Sequence, residues 1–184
     1  MDTPDTFPPL TDDQWPETLM DMLGGFAGGL NVYRTLAHHP ALVRAMSDLR
    51  GHIVNDTALG PELSEIVILR TGYRLGSTYE WSHHIVRARK RGVSDARIAS
   101  MTGATHAMDP TDAAIAIAVD ELFDRHALSP LTREVLAPKI GTGGIFDLIA
   151  TVGFYSILGY TLNSFDTPVD TDIVEALAKN PLAD

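Results

Sequence analysis

The chain has 184 residues, of which 45% are hydrophobic, enough apolar material for one domain or for two small halves that share a core. Its 14 basic and 24 acidic residues leave a formal net charge of −10, a field that repels phosphate backbones and anionic lipid, so neither nucleic acid nor a membrane surface is an expected partner. Cysteine is absent, which excludes disulfides, thiolate nucleophiles and thiolate metal sites.

The acidic, proline-rich start MDTPDTFPPLTDD does not read as a secretory signal. The longest apolar runs, Ala113–Val119 and Leu148–Phe154, fall short of the roughly 18 to 20 residues that span a bilayer, so a cytoplasmic location is expected.

In chain order, Asp13-Gln14-Trp15-Pro16-Glu17 reads as a helix opening that runs out in the glycine-rich stretch 24–29. That stretch has no lysine and no strand pattern, which argues against a phosphate loop. Asn31 is placed as the cap of a short helix ending before His38-His39-Pro40, and Pro40 opens the next, with Leu42, Met46 and Leu49 on one stripe.

Gly60-Pro61-Glu62 marks a helix start, and that helix is expected to reach Arg74 or Leu75 and stop at Gly76. Ser77 begins the next, which ends in Arg87, Arg89, Lys90 and Arg91 before Gly92. That basic group suits the negative end of a helix dipole and is read as structural rather than as an anion site.

Ser94-Asp95 starts a short helix, Asp109-Pro110 opens an alanine- and isoleucine-rich one to about Arg125, and Ser129-Pro130 opens another, interrupted near Pro138. Phe146–Asn163 is a long apolar helical pattern, and Ile173–Ala178 a short one. No sustained period-two alternation occurs, so the fold class is all-α.

The chemistry gathers at one helix junction. Glu65 and Glu80 sit among apolar neighbours, and a buried carboxylate must find a partner or give up its charge. Ser77, Glu80 and His84 are spaced three and then four residues apart, which stacks them on one helix face. His83 is turned about 100° away. It reads as a solvated or packing residue and is kept with Ser77 and Tyr79 as a substrate-contact candidate.

The first turn of that helix also presents free amides to a small anion or a developing enolate. Against this, Ser77-Thr78-Tyr79-Glu80 is a capping-box sequence, in which serine and glutamate satisfy each other's backbone amides. The spacing Glu80-x-x-His83 occurs in di-iron carboxylate bundles, but no second copy is present, so no metal is assigned. His38, His39, His52, His106 and His126 receive no catalytic role, and Tyr155, Tyr160 and Asn163 are read first as core residues, with facing the pocket as the alternative.

Leu63–Arg70, Gly76–His84, Ala88 and Gly92-Val93-Ser94 together resemble the carboxymuconolactone decarboxylase family, which includes the alkylhydroperoxidase D-like proteins. The resemblance covers about residues 30–125, and Leu148–Tyr155 with Leu162–Phe165 looks like the second half of longer members. It implies an all-helical, alkylhydroperoxidase D-like bundle of two halves packed as one domain. The expected organisation is an N-terminal extension, 1–29, with a short helix, then the helical domain 30–184, with its second half at about 126–165.

The resemblance also implies homo-oligomers, as trimers or hexamers with a dimer as the smaller alternative. In the peroxidase branch a glutamate precedes Cys-x-x-Cys-x-x-x-His by twelve residues, and Glu65, Ser77, Glu80 and His84 occupy those four places here. Serine and glutamate cannot pass through sulfenic acid or a disulfide, so thiol peroxidase activity is excluded.

The decarboxylase branch implies a lyase or isomerase without metal or organic cofactor, acting on a small carboxylated lactone or carbonyl compound. His84 is then the general acid/base, Glu80 and Glu65 its catalytic partners, and Ser77, Tyr79 and His83 the substrate contacts. The alternative is a non-catalytic oligomeric scaffold or small-ligand binder in which the same residues only satisfy one another.

Overall fold

Proline at helix starts and glycine at helix ends divide the chain into nine α-helices among residues 6–182, which the computed structural model describes. The first five residues of the acidic start and the last two of the chain lie outside them. The helices are α1 (Met20–Leu23), α2 (Asn31–Leu36), α3 (Pro40–Gly51), α4 (Gly60–Leu75), α5 (Thr78–Lys90), α6 (Asp95–Ser100), α7 (Pro110–Arg125), α8 (Pro130–Ser164) and α9 (Thr171–Lys179). Short 3-10 turns at Asp12–Gln14, Glu17–Leu19 and Thr105–Ala107, and a π turn at His52–Asp56, complete them, with no strand among the described residues.

Three expectations are corrected locally. The N-terminal helix is broken into two 3-10 turns and α1, because Pro16 holds Trp15 in an extended conformation, φ −62° and ψ 131°. Asn31 lies inside α2 and does not cap it; its side-chain amide donates to Pro168 O, while Asp170 Oδ1 accepts from the Asn31 N–H.

The third correction is in α8, where the break falls at Gly141, three residues beyond the expected Pro138. Gly141 adopts φ 67° and ψ 178°, a conformation open to glycine, whereas the proline stays helical.

Helix α4 is the central element and packs against α5, α7 and α8. Ile66, Val67 and Leu69 are fully buried, and Arg70 on the same helix forks onto Asp120 of α7 at 2.9 and 2.6 Å. Arg74 adds a 2.8 Å bond to the same carboxylate, so the α4–α7 contact is held by apolar burial and by a charged clamp together.

The apolar residues form two clusters. Trp15, Leu19, Met22 and Ala27 pack with α2, α3 and the C-terminal part of α8, where Phe154, Tyr155, Leu158 and Leu162 lie. Helices α4 to α7 and the middle of α8 make the other, around Ile66, Ile98, Ile115 and Leu148.

Helix α8 does reach the length and apolarity of a membrane span, with a mean hydropathy of 1.5 over eighteen residues, contrary to the expectation from uninterrupted runs. It supplies buried residues to both clusters, which is a sufficient reason for its apolarity.

Candidate functional site

The junction between α4 and α5 sets the site. Gly76 takes the left-handed conformation, φ 60°, and Ser77 N–H donates to Gly72 O at 3.0 Å, so α4 closes with the chain reversed directly into α5. Gly72 lets the two helices approach: a Cβ there would lie 3.3 Å from Glu80 Cβ and 3.4 Å from Trp81 N. This brings Glu65, on one helix, beside His84 on the other.

His84 is clamped between two carboxylates. Its Nδ1 lies 2.6 Å from Glu65 Oε2 and its Nε2 lies 3.4 Å from Glu80 Oε2, with all three side chains at most 4% exposed. Burial pushes the His84 pKa down, but the charge and hydrogen bond of Glu65, with that of Glu80, outweigh it and raise the value above 6.5. Burial likewise favours a neutral Glu65, yet His84, Arg91 and Arg87 hold that carboxyl below its ordinary value. Each group thus favours the charged form of the other, and Arg91 Nε, 3.3 Å from Glu65 Oε1, favours the carboxylate further.

The capping box forms by half. Ser77 Oγ accepts from Glu80 N–H at 3.4 Å, while the Glu80 side chain turns away to His84 and leaves Oε1 buried without a partner. Ser77 is itself buried and borders a different groove, shared with Gly72, Tyr73, Thr78, Trp81 and Thr102.

His83, read as solvated or packing, is buried and stacked on Tyr79 with ring centroids 4.1 Å apart. Tyr79 OH donates to Asp170 Oδ2 at 2.5 Å and accepts from Val32 N–H at 3.2 Å. Burial first, then that bond to Asp170, pushes the phenol far above its usual range. His83 Nε2 lies 3.0 Å from the same Asp170 oxygen but off hydrogen-bond alignment, so both ring nitrogens lack an aligned partner. Burial works against Asp170 ionising, but His83, Tyr79 and the Asn31 N–H keep its carboxyl below the usual value.

His83, His84, Glu80 and Tyr79 line a cavity of about 20 Å³, closed by Leu30, Val32 and Tyr33 of the α2 region, Arg87 of α5, and Tyr155 and Leu158 of α8. That volume accommodates about one water molecule. Glu65 lies behind His84 and does not reach the cavity wall. Tyr155, read as a core residue, lies edge-on to His84 at 5.1 Å, whereas Tyr160 is exposed and Asn163 donates to Leu75 O. Among the described residues, no group of three or more His, Asp or Glu side chains is placed to hold a metal ion.

Four residues at this site were given no part in it by the sequence: Arg87 and Arg91 were placed among the cations that suit a helix end, and Tyr33 and Asp170 were not singled out. Arg87 and Arg91 were legible in principle, since 84, 87 and 91 continue the helix face that carries Glu80. Tyr33 and Asp170 were not, because they arrive from segments far away in the chain, and only packing brings them in. Of the histidines given no role, His52 pairs with Asp147 at 2.7 Å, and His38 binds Pro8 O.

Three solved structures share this fold. A variant of the debrominase Bmp8 in complex with 2,3,4-tribromopyrrole aligns with a TM-score of 0.75 at 17% identity, covering 97% of this chain and 98% of that one. The alkylhydroperoxidase AhpD core of an uncharacterized peroxidase-related protein from Ralstonia eutropha JMP134 gives 0.72 at 16%, over 91% and 94%. An uncharacterized peroxidase-related protein from Silicibacter sp. TM1040 gives 0.71 at 12%, over 93% and 95%.

No curated protein matches the chain significantly. The family model described as carboxymuconolactone decarboxylase matches residues 40–120, which hold α4, α5 and the Glu65, Glu80 and His84 cluster. Over that stretch the chain is similar to the carboxymuconolactone decarboxylase family, it shares the fold of these alkylhydroperoxidase D-like structures along nearly its whole length, and it carries no cysteine.

Proposed function

We propose that the protein is a cofactor-independent lyase or isomerase that moves a proton on a small carboxylated lactone or carbonyl compound. The observation that carries this reading is a buried imidazole held between two carboxylates at the wall of a cavity. Glu65 holds the Nδ1–H and keeps the ring charged, which leaves Nε2–H as the proton to be donated.

In the decarboxylase form, the bond from the substrate carbon to its carboxylate breaks and carbon dioxide departs. The electron pair passes into an enolate, and His84 Nε2 protonates the carbon. The neutral ring then recovers a proton from solvent, with Glu80 Oε2 as its nearest relay. Buried Tyr155 stays protonated at neutral pH and serves as hydrogen-bond donor to the enolate oxygen, while Tyr79, whose one O–H is held by Asp170, shapes the wall beside it.

His84→Gln and Glu80→Gln are expected to lower turnover of γ-lactone carboxylates or β-keto acids by at least about 100-fold and about tenfold, with melting curves confirming that both fold. Unchanged rates in both would remove the proposed roles.

The size of the cavity favours a second reading, a scaffold or binder in which the cluster is structural, because about 20 Å³ admits no substrate without movement of its walls. The unpaired Glu80 Oε1 and His83 Nδ1 speak for the enzyme, since a purely structural cluster has every buried polar atom satisfied. Self-association and a cytoplasmic location belong to the same proposal.

A further inference from the structure

Of the cations at the end of α5, Arg89 pairs with Asp95 at 2.7 Å and donates to Asn180 O, and Arg91 meets Glu65 and donates to Pro61 O. Arg87 is different. It is half-buried, lines the His84 cavity, and its guanidinium has neither an ion pair nor a hydrogen bond among the described residues. Glu80, Glu65, Tyr33 and Tyr155 lie near enough to feel its charge, yet none meets it at bonding distance. With no acceptor from the described residues, its five donors are left to solvent or to an incoming anion.

The position of Arg87 gives its direction. Among the ten residues lining the cavity, only Leu30 and Arg87 keep partial exposure, so these two form its mouth, while Glu80, His83 and His84 form its floor. The floor holds an acceptor, Glu80 Oε1, and a ring nitrogen, His83 Nδ1, both buried and without partners. A cation at the mouth and unmet polar atoms at the floor complement a short molecule with an anionic end and an oxygen-bearing end.

We infer that Arg87 is the anchor for the carboxylate of a small keto or hydroxy acid, held by the planar fork of the guanidinium at the cavity mouth, with a hydroxyl of the acid donating to Glu80 Oε1 or its keto oxygen accepting from the His84 Nε2–H. The fork matches carboxylate geometry in a way that a lysine ammonium does not. The assignment rests on the proton-transfer reading of the same cavity and names the substrate class that the cavity takes.

The test is calorimetric titration of the full chain with two acid and amide pairs, levulinate against levulinamide and lactate against lactamide. At least one acid is expected to bind wild type about tenfold more tightly than its amide. Arg87→Met brings that ratio to about one without weakening the amide, and Arg87→Lys restores part of it. Arg87→Gln repeats the comparison if the methionine variant melts early.

An acid preference that survives in Arg87→Met or Arg87→Gln, or that is absent from wild type for both pairs, overturns the assignment. In His84→Gln the acid preference persists even where turnover is lost. Failure of turnover, which sinks the enzymatic reading, is therefore read apart from failure of charge discrimination, which sinks this one.

Discussion

At the scale of single residues, the Glu65–His84 pair is the feature whose chemistry is most constrained. Both groups are buried, so removing one leaves the other as an uncompensated charge or forces it neutral. Glu65→Ala is expected to cost about 3–5 kcal/mol in urea denaturation, and Glu65→Gln less, because the amide still accepts a hydrogen bond from the ring.

The pH dependence of that contribution follows from the two shifts. His84 is raised from 6.5, so its share is full below that value and fades as pH rises through the folded pKa. Glu65 is lowered from 4.5, so its share is full above that value and fades as pH falls through the folded pKa. The stability lost in Glu65→Gln is expected to be greatest between these two ordinary values and to shrink on either side, as denaturation midpoints across the pH range would show. A flat difference would mean that the pair does not sit as ions.

At the scale of elements, the contact between α4 and α5 decides whether Glu65 can reach His84. Gly72→Ala should gain about 1 kcal/mol from helix propensity. The new Cβ, however, meets Glu80 Cβ and Trp81 N, which belong to the backbone course of α5 and cannot rotate aside. Overpacking of this kind costs about 1–3 kcal/mol, so a net loss of about 1 kcal/mol is expected in the thermal melt. A shifted α5 should also change the His84 titration seen by NMR. A stabilised variant with an unchanged titration would show that the helices have slack there.

At the scale of the molecule, α8 is only partly used by the core. Phe146, Ile149, Ile157 and Tyr160 lie on one stripe of its outer face and are 69%, 41%, 43% and 61% exposed. A row of large apolar side chains on one helix is the usual form of an interface. Sedimentation at micromolar concentration is expected to show an oligomer, and Phe146→Lys combined with Ile157→Lys is expected to shift it toward monomer without lowering the melting temperature of the monomer. Wild type sedimenting only as monomer would contradict self-association.

Much of this architecture was legible along the chain because its signals are local. Gly60-Pro61, Gly76 and the Ser77, Glu80, His84 spacing set where α4 and α5 begin and end and which side chains share a face, through backbone conformations that depend on a few neighbouring residues. The break at Gly141 was misplaced to Pro138 because a proline can sit inside a helix that its neighbours hold, whereas Gly141 takes a positive-φ conformation that a side chain would strain.

Tertiary packing alone decided the rest. Asp170 beside Tyr79 and His83, Tyr33 in the cavity wall, Glu80 leaving its cap for His84, and Arg87 remaining unpaired at the mouth all depend on which distant segments meet. No short-range periodicity carries that information, since the free energy of such contacts belongs to the assembled fold and not to any one helix.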